Sequence, residues 1–140
     1  MLAKLTHSAI DLGIVVRDLS AAVGFYRDLL GFEDEGETPM PGGGRMRRLR
    51  CGESLIKLVE PGQSPAAQAP PGGPGGATGY RYFTICASNL EEIAAACEQA
   101  GRHIPVPPLA LRPGVRILMV EDPDGNWVEF AHYSDDRANG

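Results

Sequence analysis

The sequence predicts an α+β fold built from two βαβββ modules. Each half opens with a short apolar strand that leads into an amphipathic helix, over residues 11–31 and 82–101. Each half closes with two strands joined by a glycine-containing turn, over residues 45–60 and 114–133. Between the halves, 11 of the 19 residues from Pro61 to Gly79 are glycine or proline and none is charged. Such a segment is expected to hold neither a helix nor a central strand, so it is predicted to be a linker.

The first module is predicted over about residues 5–60. Its first strand is expected at Asp11–Val16, and the helix that follows is expected to be capped by Asp18 or Ser20. Gly31 is the predicted end of that helix, since glycine commonly ends helices in the left-handed conformation. A further edge strand is predicted around Phe32–Glu37, so the module has four strands and one helix.

The second module is predicted over about residues 80–134 and repeats this plan. Its first strand is expected at Tyr82–Ala87, and Ser88 with Glu91 has the spacing of a capping box at the start of the helix. Gly101 is the predicted helix end, and prolines indicate an edge strand around Ile104–Val106. The two copies of the module are expected to form one domain over residues 1–140.

Composition limits the classes of partner. With 13 Lys and Arg against 18 Asp and Glu, the chain has a net charge of −5 and a pI near 5.1, which disfavours nucleic acid and anionic membranes. The sequence has neither a signal-peptide pattern nor an apolar run of membrane-spanning length, so a cytoplasmic protein with a small-molecule partner is expected. The three cysteines form no CxxC pair and are predicted to be reduced and mostly buried.

Two motifs carry a resemblance to a known family. The stretch "GIVVRDLSAAVGFYRDLLGF" follows the first strand, and "DPDGNWVEF" leads into the last. Together with the duplicated βαβββ pattern, they are similar to the glyoxalase, bleomycin resistance and extradiol dioxygenase superfamily, whose members have the vicinal oxygen chelate fold. The resemblance covers nearly the whole chain and implies that the protein is a homodimer.

The resemblance also locates four positions at which metal-dependent members carry their ligands. In this chain they hold Asp11, Lys57, Tyr82 and Glu129. A lysine ammonium has no lone pair to give a metal ion, and a tyrosine ligates only as phenolate, from a pKa near 10. The metal site is therefore predicted to be degenerate and no cofactor is expected, with a divalent metal as the alternative.

Strand alternation gives an independent indication of where these side chains point. Asp11, Lys57, Tyr82 and Glu129 each alternate with apolar neighbours that are expected to pack on a helix, so all four are predicted to face a cleft between the modules. One hypothesis is catalytic, with these four residues performing acid and base chemistry. The other is a structural ion-pair cluster that fills the cavity where other members hold a metal.

Three residues are predicted to contact a ligand: Trp127, Tyr82 and Arg48. The run "RMRRLR" at Arg45–Arg50 alternates like a strand with one solvated face and one or two arginines in the cleft. An inward arginine beside Lys57 favours an anionic ligand. An aromatic ring such as Trp127 stacks equally well on a planar ligand or within a core, so both interpretations stay open.

Three functions follow as hypotheses. The first is a metal-free binder of a small organic molecule, of the bleomycin-resistance type. The second is a metal-independent lyase or isomerase that uses Asp11, Lys57, Tyr82 and Glu129. The third is a metal-dependent glyoxalase, epimerase or dioxygenase with an irregular ligand set.

Overall fold

The computed structural model describes residues 1–134 and divides the chain into two compact units. The first unit is Met1–Ala67 and the second begins at Gln68, inside the glycine- and proline-rich segment. Within the described residues, the helices are all too short or too polar to cross a membrane.

The first unit contains one helix and a four-stranded sheet. Its elements are β1 (Asp11–Val15), α1 (Leu19–Val23), β2 (Glu33–Pro39), β3 (Arg45–Cys51) and β4 (Ser54–Glu60). The strands lie in the order β1-β4-β3-β2, in which β1 runs parallel to β4 and the other neighbours are antiparallel. This is the predicted βαβββ module, with β2 at the sheet edge as expected.

Two carboxylates cap the start of α1. Asp18 accepts a hydrogen bond from the amide of Ala21 at 3.1 Å, and Glu60 of β4 accepts one from the amide of Leu19 at 2.7 Å. Of the two predicted caps, the structure uses Asp18. The contact from Glu60 also ties the helix to the sheet, because helix-start amides have no partner within the helix.

The helix continues beyond α1 as a π-helix over Gly24–Leu29, which the sequence pattern did not predict. The amide of Leu30 donates to the carbonyl of Phe25, five residues earlier. Phe25 and Tyr26 are adjacent in sequence, yet both are buried and their rings meet edge to face at 4.8 Å. Gly31, with φ of +87°, follows the helix as predicted.

The second unit repeats the topology. Its elements are β5 (Tyr82–Cys86), α2 (Leu90–Gln99), β6 (Val106–Arg112), β7 (Val115–Glu121) and β8 (Trp127–Tyr133). The strand order is β5-β8-β7-β6, with β5 parallel to β8, so each element has a counterpart in the first unit. The prediction of two βαβββ modules is confirmed.

Two local predictions in the second unit are wrong. The capping box does not form, because Asn89 is the N-cap and its side chain donates to Glu92 at 3.1 Å instead of capping the helix. The edge strand β6 extends to Arg112, well beyond the predicted Ile104–Val106. Its pairing with β7 is interrupted after Val106, where two prolines follow, and a sheet edge tolerates such an interruption.

Each sheet buries the face that packs on its own helix. In the first unit this face includes Leu49 and Leu58, and in the second it includes Leu118, Val120 and Val128, all without measurable exposure. The opposite face of β1 and β5 is more exposed, as the alternation predicted.

The three cysteines differ in exposure. Cys97 is buried in α2 and Cys51 is half-buried, but Cys86 is exposed. The prediction of mostly buried thiols is therefore wrong for Cys86, because its side chain lies on the face of β5 that points away from α2.

The glycine- and proline-rich segment has one ordered turn, which corrects the expectation that it holds no helical structure. Gly73–Gly75 forms a single 3₁₀ turn, and the side chain of Arg81 donates to the carbonyls of Gly73, at 2.7 Å, and Pro70. Gly73 is buried against the indole of Trp127. This segment is therefore packed on the second unit from about Pro70 onward.

Candidate functional site

The turn "DPDGN" positions the last strand, β8. Asp122 is only 2% exposed, and its carboxylate accepts hydrogen bonds from the amides of Asp124 and Asn126, both at 2.9 Å, and from the side chain of Asn126 at 3.0 Å. Gly125 has φ of +86°, a conformation that favours glycine. The sequence marked this turn only as a family motif, and the role of Asp122 as its organising acceptor was missed.

Strand register places Lys57 and Glu129 at equivalent points of the two sheets. Lys57 lies opposite Gly13 on the parallel β1–β4 ladder, and Glu129 lies opposite Thr84 on the parallel β5–β8 ladder. Both side chains therefore share a face with the first residue of the neighbouring strand, Asp11 or Tyr82. In each unit this is the face opposite the helix, called here the helix-free face.

In the first unit, the structure brings two predicted site residues into contact. The Nζ of Lys57 lies 3.2 Å from Oδ2 of Asp11, and the two side chains are 36% and 43% exposed. Gly13, directly opposite Lys57, has no side chain to intervene. The pair is solvated enough to act as an ordinary surface ion pair.

In the second unit, Glu129 has a different partner. Its carboxylate accepts a hydrogen bond from the hydroxyl of Thr84 at 2.7 Å. Tyr82 lies on the same face, opposite Trp127, and is 49% exposed. The structure thus groups Glu129 with Tyr82 and Trp127, and separately groups Asp11 with Lys57.

Arg48 extends the charged group on the first sheet. It lies directly opposite Lys57 on the antiparallel β3–β4 ladder, so it shares the helix-free face. Its Nη2 donates to the carbonyl of Glu35 at 3.1 Å, while its Nε is buried and has no hydrogen-bond partner. The neighbouring Arg50 instead pairs with the carboxylate of Glu35 at 2.8 Å. Within residues 1–134, Arg48 is thus left without a carboxylate partner.

Part of the surface of Trp127 is covered by contacts within the second unit. A Cβ added to Gly73 would lie 2.4 Å from Cδ2 of the indole, so the glycine backbone covers the ring closely. The indole nitrogen donates to Glu121 at 3.3 Å. These contacts favour a packing role for Trp127, and its contact with a ligand stays a prediction.

The donor chemistry at the four family ligand positions does not fit a divalent metal. Lys57 contributes an ammonium, which pairs with the Asp11 carboxylate, and Glu129 accepts from a neutral hydroxyl. In the part of the chain that the structure describes, no group of three or more His, Cys, Asp and Glu side chains is placed to hold a metal ion. A carboxylate already paired with an ammonium is a poor ligand for a dication, and so is a lysine.

A family model matches residues 4–130 of the chain. Its description is "Glyoxalase/Bleomycin resistance protein/Dioxygenase superfamily". Among curated protein sequences, no relative was found.

Solved structures with the same fold cover most of the chain. A glyoxalase family protein from Enterococcus faecalis is 25% identical with a TM-score of 0.65, and the match covers 93% of this chain and 98% of that one. A lactoylglutathione lyase from Agrobacterium tumefaciens is 26% identical with a TM-score of 0.63, covering 88% and 91% of the two chains. A glyoxalase family protein from Bacillus cereus, at 18% identity, matches in fold with a TM-score of 0.76 over 96% and 98% of the chains.

Proposed function

The chain belongs to the glyoxalase/bleomycin resistance protein/dioxygenase superfamily, and from that premise we propose that it is a metal-free binder of a small anionic organic molecule. The proposal depends on one observation: within residues 1–134, the guanidinium of Arg48 has no carboxylate partner. An arginine fork presents several N–H donors to a carboxylate or a similar oxyanion, so the ligand is expected to carry such a group.

The neighbours of Arg48 support an anionic ligand. Lys57 lies directly opposite and adds a second positive charge on the same face. Its partner Asp11 balances that charge through a solvated contact that a ligand oxyanion can compete with. Arg50 is already paired with Glu35, so Arg48 is the expected primary contact and Lys57 the secondary one.

A titration with a defined anionic probe tests this proposal. The probe is 8-anilinonaphthalene-1-sulfonate, whose fluorescence is followed at constant ionic strength. Replacing Arg48 with glutamine is expected to weaken binding about tenfold, the usual cost of losing a charge-assisted hydrogen-bond pair. Arg45→Gln is the matched control, because Arg45 is on the same strand but faces the other way, toward Glu60.

Equal affinities for the wild type, Arg48→Gln and Arg45→Gln would contradict the proposal. A ligand recovered chemically unchanged after incubation, by mass spectrometry, supports a binder over an enzyme. Conversion of the ligand would instead support the second candidate function.

The second candidate is a metal-independent lyase or isomerase that uses Lys57, Glu129, Asp11 and Tyr82 as acids and bases. It is favoured by the equivalent ladder positions of Lys57 and Glu129, each beside a polar partner. The exposure of Lys57 and Asp11 argues for the binder instead, since acid–base catalysts are commonly desolvated. Lys57→Met and Glu129→Gln are each expected to reduce turnover at least ~100-fold if the enzyme hypothesis is correct.

A metal-dependent activity requires a different ligand set from the one present. Elemental analysis of untagged protein and thermal melting with added Mg²⁺, Mn²⁺, Ni²⁺ and Zn²⁺ test this directly. A divalent ion that raises the melting temperature of the wild type, and does so less for Glu129→Gln, would overturn the metal-free proposal.

A homodimer is proposed on the strength of the family resemblance. The exposed apolar side chains Ile10 and Val15, at 75% and 56%, lie at and beside the edge strand β1 and support an interface there. Sedimentation equilibrium on the full chain is expected to give twice the monomer mass of 14.9 kDa. Val15→Lys is expected to shift it to the monomer.

A further inference from the structure

A recess lies in the second unit at the turn between β6 and β7. Its volume is about 770 Å³, within the size range of small-molecule sites. Its polar lining comes from Ser88, Arg112, Arg116, His132 and Ser134. Two of these residues, Arg112 and Arg116, carry a positive charge in a chain whose net charge is −5.

The recess lies at the turn between β6 and β7, and two of its lining residues, Arg116 and His132, are on the helix side of the second sheet. Arg116 and His132 lie opposite each other on the β7–β8 ladder, and Arg116 pairs with Glu91 of α2. On β8, His132 points the opposite way from Glu129 because the two are three residues apart. Arg116 and His132 are thus on the other side of the sheet from Glu129, and the recess shares no lining residue with the proposed binding site of the first unit.

The two arginines are in different electrostatic states. The hydrogen bond and charge of Glu91 raise the pKa of Arg116 above its ordinary value, so this guanidinium is already paired. Arg112 is exposed, and its side chain has no carboxylate or hydrogen-bond partner within residues 1–134. Arg112 therefore brings to the recess a positive charge that no carboxylate of residues 1–134 compensates.

The hydroxyl of Ser88 does not cap α2, since the predicted capping box does not form. Asn89 is the N-cap of α2, and Ser88 makes no hydrogen bond through its side chain within the described residues. The recess thus combines a hydroxyl donor with an arginine that has no carboxylate partner in the described part of the chain, and the two together suit an oxyanion.

The rim of the recess is fixed in place. The amide of Ser134 donates to the carbonyl of Gly114 at 2.9 Å, and a Cβ at Gly114 would lie 3.2 Å from the hydroxyl of Ser134. Gly114 also has φ of +79°, which favours glycine at this turn. The hydrogen bond from Ser134 to Gly114 fixes the backbone of the turn that follows Arg112.

We propose that this recess binds a small molecule through a carboxylate or phosphate group, with Arg112 as the main contact. Arg116 and Ser88 complete the set of donors. Carboxylate and phosphate groups both present a compact oxyanion to these donors. Separate titrations with phosphate and acetate distinguish a phosphate ligand from a carboxylate ligand.

The test is a titration of ¹⁵N-labelled full-length protein, followed by the amide resonances of Ser88, Gly114 and Ser134. Sodium phosphate and sodium acetate are added in separate series at constant ionic strength with sodium chloride. Saturable shifts at these amides are expected with at least one anion. Arg112→Gln is expected to weaken that binding at least fivefold, about the loss of one charge-assisted hydrogen bond.

Arg102→Gln is the matched control, since it removes the same charge from the same unit outside the recess. It is expected to leave the affinity within about twofold, because Arg102 does not line the recess. Shifts with phosphate alone assign a phosphate ligand, and equal shifts with acetate assign a carboxylate. The proposal is overturned if neither anion gives saturable shifts at these amides, or if Arg112→Gln binds as tightly as Arg102→Gln.

Discussion

The ammonium of Lys57 lies 3.2 Å from the carboxylate of Asp11, although the two residues are on different strands and are not directly opposite each other. Gly13, the residue opposite Lys57, leaves the space through which the lysine reaches Asp11. In the second unit the residue at the equivalent position is Thr84, and its hydroxyl binds Glu129. At equivalent ladder positions, the lysine of the first unit forms an ion pair and the glutamate of the second accepts a hydrogen bond from a hydroxyl.

Replacing Asp11 with asparagine is expected to change the free energy of unfolding by less than ~1 kcal/mol, since exposed ion pairs contribute little. Urea denaturation at low and high sodium chloride measures this, and the difference from wild type is expected to shrink with salt. A loss of more than ~2 kcal/mol in the free energy of unfolding would show that the pair contributes as a buried ion pair does.

Gly73→Ala is expected to destabilise the second unit by about 1–3 kcal/mol, because a Cβ would overlap the indole of Trp127 and φ is +55°. Trp127 is the only tryptophan, so its emission is expected to shift to longer wavelength as the segment leaves the ring. Thermal melting and fluorescence provide the measurement.

Gly75→Ala is the control for this experiment. Gly75 is in the same 3₁₀ turn, but nothing lies within 4 Å of its added Cβ. It is expected to leave stability and emission close to wild type. Equal effects of the two variants would contradict the role assigned to the contact with Trp127.

Asp34 is expected to make the stability of the folded protein depend on pH in the acidic range. The amide of Gly36, at 2.8 Å, lowers the pKa of this carboxyl below its ordinary value of 3.8, and hydrogen bonds from Arg27 and Arg47 act in the same direction. Because the folded pKa is below the unfolded one, this stabilisation is present above the ordinary value and is lost as pH falls through the folded pKa.

Asp34→Asn is therefore expected to be less stable than wild type near pH 6, with a difference that narrows as pH falls below about 4. Melting temperatures measured from pH 6 to pH 2 test this. Glu33→Gln, the adjacent exposed carboxylate on the same strand, is the control and is expected to follow the wild-type profile. A constant difference for Asp34→Asn at every pH would contradict the assignment.

The three thiols are expected to react in order of exposure. Cys86 is exposed and is expected to react first with 5,5′-dithiobis(2-nitrobenzoate) in the native protein. Burial raises the pKa of Cys51 and of Cys97 above the ordinary value, which slows their reaction at neutral pH. Cys86→Ser is expected to remove the fast phase, and an unchanged fast phase would show that another thiol is the accessible one.

The sequence by itself determined the two βαβββ modules and the direction of most strand side chains. Both follow from local physics: apolar periodicity sets element type, and the two-residue period of a strand sets the face on which Asp11, Lys57, Tyr82 and Glu129 lie. Gly31 at the end of the first helix is a local signal of the same kind.

Only the tertiary structure decided which partners those side chains find. The pairing of Lys57 with Asp11 and of Glu129 with Thr84 depends on the register between strands far apart in sequence. The covering of Trp127 by Gly73 depends on where a segment without periodicity packs. No local pattern encodes these distances, because they arise when separate strands and loops meet in three dimensions.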